Sequence, residues 1–300
     1  MARLSDIDLR LLQVFKCIVE CGGMSAAELE LNIGTSTVSR HLKDLETRLG
    51  MVLCRRGRGG FALTDEGRGL YDAIQALFAS LDNFRARVDD IHQRMGGELS
   101  LAVFDKTASN PEARVAQAIA RFADEAPLVK LSLHVATING IERGVIDGTF
   151  HVGIIPFHRS SESLGYANLF EETMLLYCGA AHPLYDAADR GLSWDNVRPY
   201  AFAGLGYHSP NMELTQWAGL RRAVTGFDQE SIATLILSGR FLGFLPDHYA
   251  RSFEQQGLLR PLNPRSLNYR CKFLSIWRRS PAASPATQKL LELLKEVHTK

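Results

Sequence analysis

Met24–Gly50 reads MSAAELELNIGTSTVSRHLKDLETRLG. Two short amphipathic segments flank a tight turn at Asn32, Ile33 and Gly34. Ser25 followed by Glu28 has the spacing of a capping box, which satisfies orphan amides at a helix start. Ala26, Ala27, Leu29 and Leu31 give the first segment a small apolar side. In the second segment Val38, Leu42, Leu45 and Leu49 recur at spacings of four and three, so they form one buried stripe. Thr35, Ser36, Ser39, Arg40 and Lys43 fall on its other faces, and Gly50 closes the segment as a left-handed cap residue does. This is the layout of a helix-turn-helix, whose second helix enters the DNA major groove with its N-terminal residues on the base edges. The candidate DNA-reading residues are therefore Thr35, Ser36, Thr37, Ser39, Arg40 and Lys43. Upstream, Leu11, Leu12, Phe15, Ile18 and Val19 make an apolar stripe that packs beneath both helices. The plain alternative is a three-helix lump with a solvated basic face.

The downstream sequence separates the two. Leu53–Thr64 reads LCRRGRGGFALT, with glycines around Arg58 marking a hairpin tip. Phe61 and Leu63 alternate with Ala62 and Thr64, as in a short half-buried strand. A basic wing beside a recognition helix reaches the neighbouring phosphates, and Arg56 and Arg58 are its candidate contacts. From Ser36 to Gly60 there are six cations against two acids, while the whole chain has a formal charge of only +1. A basic excess confined to one stretch fits a phosphate footprint.

A long helix follows. Thr64 is a plausible N-cap, and Asp65 and Glu66 sit in a first turn where the helix dipole favours acids. Leu70, Ile74, Leu77, Leu81, Phe84, Val88, Ile91 and Met95 run at alternating spacings of four and three. That heptad seam predicts a coiled coil, with Leu70, Ile74, Leu77, Leu81, Phe84 and Val88 as dimerisation residues, against the alternative of a helix packed on its own domain. A two-fold dimer would set two recognition helices on two half-sites. Gly96-Gly97 ends the helix.

Residues 1 to about 95 resemble the N-terminal part of a LysR-type transcriptional regulator. The resemblance rests on Asp8-Leu9, Phe15, Ser25-Ala26-Ala27, Val38-Ser39-Arg40, Leu45-Glu46, Leu49-Gly50, Leu53, Arg56, and Leu63-Thr64 with Gly67. The chain departs from the family pattern at Gly34, where a serine cap is usual, at Thr35, where glutamine is common, and at Ser36, where proline is common. Those last two positions open the recognition helix and bear on the preferred base sequence.

Three hundred residues, 46% hydrophobic and 22% charged, suit an ordinary globular protein of two or three domains. No run approaches 18 consecutive apolar residues, and MARLSDIDLR lacks the apolar core of a secretory signal, so a cytoplasmic protein is expected. The five cysteines, at 17, 21, 54, 178 and 271, show no metal or redox spacing and read as reduced thiols. Some members of the resembled family sense peroxide, for which Cys178 and Cys271 are the C-terminal candidates. No metal or other cofactor is implied.

After Gly97 the pattern alternates between strands and helices. Strands are expected near Leu99–Val103, Val129–Val135 and Phe150–Ile155, with helices at Pro111–Ala126 and Ile141–Ile146 between them. A second unit runs from Thr173–Cys178 through Tyr200–Ala203, a helix over Gln229–Ser238, and Gly243–Leu245. It ends near Leu274–Trp277, and the last helix, Pro285–His298, returns to the first unit. Two α/β halves with parallel sheets enclose a cleft at the strand C-terminal ends. Pro127, His182-Pro183-Leu184 and Gly243-Phe244-Leu245-Pro246 extend the resemblance, which implies a periplasmic-binding-protein-like effector domain.

The expected fold is thus α plus α/β. A winged helix-turn-helix DNA-binding domain covers 1–64 and a coiled-coil dimerisation and linker helix covers 65–97. An effector-binding domain covers 98–300, with one subdomain over about 98–171 and 276–300 and the other over about 172–275. Cleft candidates are Lys106 and Thr107, then Thr137, Ile138 and Asn139, then the loop Gly206–Asn211 with Tyr207 and His208, and Phe244 with Pro246. Lys106 would suit a small anion, or is a solvated loop lysine. His151, where the family has aspartate, reads first as a satisfied strand-end histidine and second as a pH-sensitive group.

No phosphate loop, HExxH or GxSxG marks an enzyme. The function expected is a sequence-specific transcriptional regulator modulated by a small-molecule effector. The alternative is a DNA-binding dimer or tetramer whose C-terminal part only oligomerises. The partners expected are double-stranded DNA, a second copy in a dimer or tetramer, the effector, and RNA polymerase, with no membrane.

Overall fold

In the computed structural model residues 6–57, 60–91, 96–188, 190–207 and 209–299 are described. The chain divides into two compact units, Met1–Asp82 and Asn83–Lys300.

The first unit begins with helices α1 (Asp6–Glu20), α2 (Met24–Leu31) and α3 (Thr35–Leu49). A hairpin of β1 (Cys54–Gly57) and β2 (Gly60–Leu63) follows, and then the long helix α4 (Asp65–Ile91) begins. Phe15 and Ile18 of α1, Ala27 of α2 and Val38, Leu42 and Leu45 of α3 are buried together with Leu53. Each large side chain buried there stabilises the unit by about 1.5–3 kcal/mol. Asn32 closes α2 in the left-handed conformation and Gly34 opens α3 in an extended one, so the turn falls at residues 32–34. Gly50 caps α3 in the left-handed region, at φ 67°.

Three local expectations fail here. Ser25 is no cap: it lies inside α2, behind Gly22 and Gly23, which both take positive φ. Glu28 instead accepts the hydroxyl of Thr35, stitching α2 to α3. Leu29 is 86% exposed and Leu49 38% exposed, so the apolar stripes of α2 and α3 are shorter than their spacing predicts.

The wing is antiparallel, with Cys54 opposite Leu63 and Gly57 opposite Gly60. Its tip, Arg58-Gly59, lies outside the described residues. Glu46 of α3 accepts the Leu53 amide at 2.8 Å and fixes the approach to the wing. Thr64 caps α4 by accepting the Gly67 amide at 2.9 Å, while its hydroxyl donates to the Val52 carbonyl at 2.7 Å. The chain at Leu53 therefore crosses the first turn of α4 at backbone contact.

The seam of α4 is divided. Ile74 is 1% exposed and belongs to the core under the helix-turn-helix, with Leu70 and Leu77 packed against it. Ile74 is thus a correction to the dimerisation set, as is the inner face of Leu70, because the helix needs that surface to hold its own domain. Leu81 is half-buried and Phe84 is 64% exposed. The side chain of Val88 lies outside the described residues.

The second unit is built on one mixed sheet. Its first lobe contains β3 (Gly97–Val103), α5 (Val115–Glu125), β4 (Val129–Val135), α6 (Ile138–Asp147) and β5 (Val152–Pro156). The long strand β6 (Leu164–Gly179) then crosses to the second lobe. That lobe contains α7 (Trp194–Val197), β7 (Phe202–Leu205), α8 (Pro210–Ala218), β8 (Arg222–Gly226), α9 (Gln229–Leu237), β9 (Leu242–Pro246), α10 (Asp247–Gln255) and β10 (Leu259–Pro261). Strand β11 (Asn268–Arg278) crosses back, and α11 (Pro285–His298) packs on α5. The strand order is β4-β3-β5-β11-β6-β9-β7-β8, with β10 also paired to β6. Strands β4, β3 and β5 are parallel, as are β9, β7 and β8, while β6 and β11 are antiparallel to each other and to their other neighbours. The expected pair of α/β halves is the observed architecture, with the antiparallel strands β6 and β11 joining them in one sheet.

Helix α5 begins later than Pro111 because Arg114 adopts φ 42° before it. His151 is a satisfied strand-end residue: its Nδ1 accepts the Ser100 amide at 2.9 Å and its own amide donates to Ser100 O at 2.8 Å. In the His182-Pro183-Leu184 turn, His182 Nδ1 accepts the Leu184 amide at 3.1 Å, and burial holds the imidazole below the usual histidine range. Among the described residues no helix is long and apolar enough to cross a membrane.

Candidate functional site

Two places in the molecule gather functional chemistry. The first is the exposed side of α3. Ser36, Arg40 and Lys43 are exposed there, and Thr35, Thr37 and Ser39 are half-buried beside them. The first turn of α3 carries no acidic residue of its own, and the Glu28 carboxylate of α2 accepts the Thr35 hydroxyl at that end. Arg55 extends the exposed cations onto the wing. The side chains of Arg56 and Arg58 lie outside the described residues.

The second place is the junction of the lobes. In each lobe the strand order reverses around a central strand, β3 in one and β7 in the other, and ligands bind beyond the carboxyl ends of such strands. The segment after β3 reaches across to the opposite lobe. Asp105 Oδ2 accepts the Gln229 amide at 2.8 Å, at the first residue of α9. Lys106 Nζ lies 2.5 Å from Glu230 Oε2 and 4.6 Å from the centre of the Tyr249 ring. Ser109 Oγ lies 3.0 Å from His248 Nδ1, and His248 Nε2 lies 2.9 Å from Glu172 Oε2 on β6. Lys106 holds a left-handed φ of 61°, a conformation few non-glycine residues adopt. These contacts latch one rim of the cleft.

Behind the latch is a narrow cavity of about 20 Å³, little more than one water-sized guest needs. Phe104, Ile138 and Pro156 line it from the first lobe and Leu205, Ser209, Asn211 and Gln229 from the second. Glu172 and Met174 of β6 and Tyr269, Cys271 and Phe273 of β11 form its floor. Three buried polar atoms at this junction have no partner: Tyr207 Oη, Ser209 Oγ and Gln229 Oε1. Tyr207 stands edge-on to Phe104, ring centres 6.4 Å apart. Buried polar groups are nearly always paired, and leaving one unpaired costs about 1–3 kcal/mol.

The residues singled out from sequence divide accordingly. Ile138 lines the cavity, and the loop Gly206–Asn211 supplies Ser209 and Asn211 to its wall. Tyr207 is buried beside it, and His208 lies outside the described residues. Lys106 is not a free cation, because the opposite lobe's Glu230 neutralises it. Thr107 is buried with its hydroxyl donated to Phe104 O at 2.6 Å. Thr137 caps α6 by accepting the Gly140 amide, and Thr137 and Asn139 are solvent-exposed. Phe244 is a correction: it packs among Trp194, Phe202 and Tyr269 in the core of the second lobe, because a strand buried on both faces sends alternate side chains away from the cleft. Pro246 ends β9 as the residue before α10 and does not line the cavity.

Glu172, Met174, Cys271 and Phe273 were missed by sequence reasoning. The signal was the period-two alternation of 172/174 on β6 and 269/271/273 on β11, which puts each set on one face. Cys178 and Cys271 are buried, and burial pushes both thiols up, Cys178 to about 12. Thiols held protonated react poorly with oxidants.

Comparison with known proteins gives this geometry its setting. Residues 9–68 match the family model of the bacterial regulatory helix-turn-helix protein, lysR family, and residues 92–299 match the LysR substrate binding domain. The chain belongs to the LysR family. It is a DNA-binding transcriptional regulator of LysR type, with a C-terminal domain of the substrate-binding kind, which sets aside a C-terminal part that only oligomerises. The chain is 39% identical to the HTH-type transcriptional activator BauR of Pseudomonas aeruginosa, over 97% of this chain and 96% of that protein. It is 28% identical to the probable HTH-type transcriptional regulator LrrA of Synechococcus elongatus, over 78% of this chain and 79% of that one. These LysR relatives are regulators rather than enzymes. In structure it resembles CbnR, a LysR family transcriptional regulator, with TM-score 0.68 over 97% of this chain and 99% of that one. It also resembles full-length CbnR complexed with its target DNA, with TM-score 0.66 over 96% and 99%. Identity to CbnR is 20%, so that likeness supports the LysR fold alone.

Proposed function

We propose that this regulator reads its operator through Thr35, Ser36, Thr37, Ser39, Arg40 and Lys43 of α3, with Arg56 and Arg58 of the wing on the phosphates. A small polar effector held between the two lobes modulates it. The protein works in the cytoplasm as a dimer or tetramer joined through the outer part of α4, and contacts RNA polymerase when bound to DNA. The observation that carries the effector reading is the group of unpartnered buried polar atoms, Tyr207 Oη, Ser209 Oγ and Gln229 Oε1, at the lobe junction. A folded chain tolerates such groups where a ligand completes them.

Two expected outcomes test this. Arg40→Ala lowers affinity for the preferred operator by about 1–3 kcal/mol and relaxes preference at one base position. Binding isotherms on operator and random duplexes measure it, and equal losses on both would move Arg40 to the phosphates. Ser209→Ala removes an unpaired hydroxyl, so the unliganded protein gains about 1 kcal/mol, or roughly 2–4 °C in melting temperature. The same variant loses effector-dependent transcription in a reporter assay while its DNA affinity stays unchanged. A variant that is no more stable and responds to the effector normally would place the effector elsewhere.

A further inference from the structure

The charge pattern of the lobe-junction cavity points to the chemical class of the molecule that fills it. This inference rests on the cleft reading above and goes on to name a substrate class. Among the described residues lining the cavity there is no lysine and no arginine, and the acid present is Glu172. Lys106, on the segment after β3, is committed to Glu230 and Asp105 outside the lining. An anion entering here would meet a buried carboxylate with no lysine or arginine in the lining to offset it, and a poorly compensated buried charge is costly.

The polar atoms favour the opposite sign. Glu172 presents a carboxylate and Gln229 Oε1 is a buried acceptor without a donor. Ser209 Oγ, also buried and unpartnered, accepts as well as donates. An alkylammonium group carries three donors and no acceptor, which matches three acceptors around one cavity. Phe104, Met174 and Phe273 supply apolar wall for the carbon part of such a molecule. His248 Nε2 lies 2.9 Å from Glu172 Oε2, and the Asn110 side chain also hydrogen-bonds this carboxyl. Burial pushes the Glu172 carboxyl above the usual carboxylate range, with His248 and Asn110 pulling the other way without offsetting it. Burial thus outweighs both partners, and a cationic ligand supplies what burial removes.

We propose that the effector is a compact molecule bearing a protonated amine, received by Glu172, Gln229 and Ser209 between the lobes.

The test uses the full-length protein and three four-carbon probes at millimolar concentration: n-butylammonium, n-butyrate and n-butanol. Butylammonium is expected to raise the melting temperature by about 2–4 °C, as a ligand of the native state does, and the other two to leave it unchanged. Glu172→Gln, which keeps the shape and removes the charge, abolishes the rise, and so does Leu205→Phe, which fills the cavity. A rise with butyrate or butanol that disappears in Leu205→Phe would overturn the amine class and leave the cleft reading standing. A butylammonium rise that survives both substitutions would overturn the cleft reading itself. No rise with any probe would overturn the proposal. Where Leu205→Phe fails to fold, hydrogen exchange on the wild type decides the location: butylammonium protects the segments around Glu172 and Cys271, and protection elsewhere with none there counts against the site.

Discussion

Replacing Gly67 by alanine is expected to destabilise the DNA-binding unit by about 3 kcal/mol, the upper range for forcing an atom into packed structure. A Cβ at this position would lie 2.0 Å from the carbonyl oxygen of Leu53 and 2.9 Å from its carbon, so backbone rather than a flexible side chain stands in the way. The neighbouring bonds leave no room to shift. Thr64 Oγ1 holds the Gly67 amide and also grips Val52 O, and the Thr64 amide donates to Leu53 O at 3.1 Å. Gly69 lies on the same helix with nothing within 4 Å of an added Cβ. Gly69→Ala should therefore stabilise by about 1 kcal/mol, the helix propensity gain alone. Thermal unfolding of both variants, together with operator binding, gives the comparison. Two substitutions of the same type shifting the melting temperature in the same direction would show that the crossing at Leu53 does not constrain α4.

The second large effect is expected at the outer part of α4. Leu81→Glu sets a charge in the proposed seam on both copies. Each leucine lost from a buried position removes about 1.5–3 kcal/mol, so self-association weakens at least about a hundredfold. Light scattering should then report monomers, and tight operator binding should vanish because two half-sites are no longer held by one object. Ile74→Glu makes the contrast. That side chain is buried within its own chain, so the substitution unfolds the DNA-binding unit. A Leu81→Glu dimer with unchanged affinity would place the association surface elsewhere.

How much of this was legible in the sequence depended on the range of the interaction. Where a single local rule governs, the residues announced it: Gly50 as a left-handed cap, Thr64 as an N-cap, and β4 and α11 at the residues their periodicity predicts. Where two local rules competed, spacing misled. Ser25 and Glu28 satisfy the capping box, but Gly22 and Gly23 shape the turn so that α2 starts one residue before Ser25. Strand β6 was visible only over its second half, because Phe170-Glu171-Glu172-Thr173 mixes charge into a segment passing between lobes. Helix α10 was hidden by its low apolar content, and α8 by its shortness and its opening proline. Phe244 was misplaced because a strand buried on both faces carries no alternation to say which face looks at the cleft. The partners of Lys106 and Asp105 stand 124 residues downstream, a distance at which no spacing rule operates.

The latch between the lobes has a kinetic meaning. With Asp105 on Gln229, Lys106 on Glu230 and Ser109 on His248, and a cavity too small for a metabolite behind them, the conformation described is a shut one. Capture then waits on a spontaneous excursion of the rim, and only the parted fraction is competent, so apparent affinity falls by that fraction. Under stopped-flow mixing the observed rate should level off as ligand rises, at the frequency with which the rim parts. Salt should lift that plateau, since the Lys106–Glu230 contact is half-exposed and screened by ions. At saturating effector the sensor's response time would then be set by its own bolt.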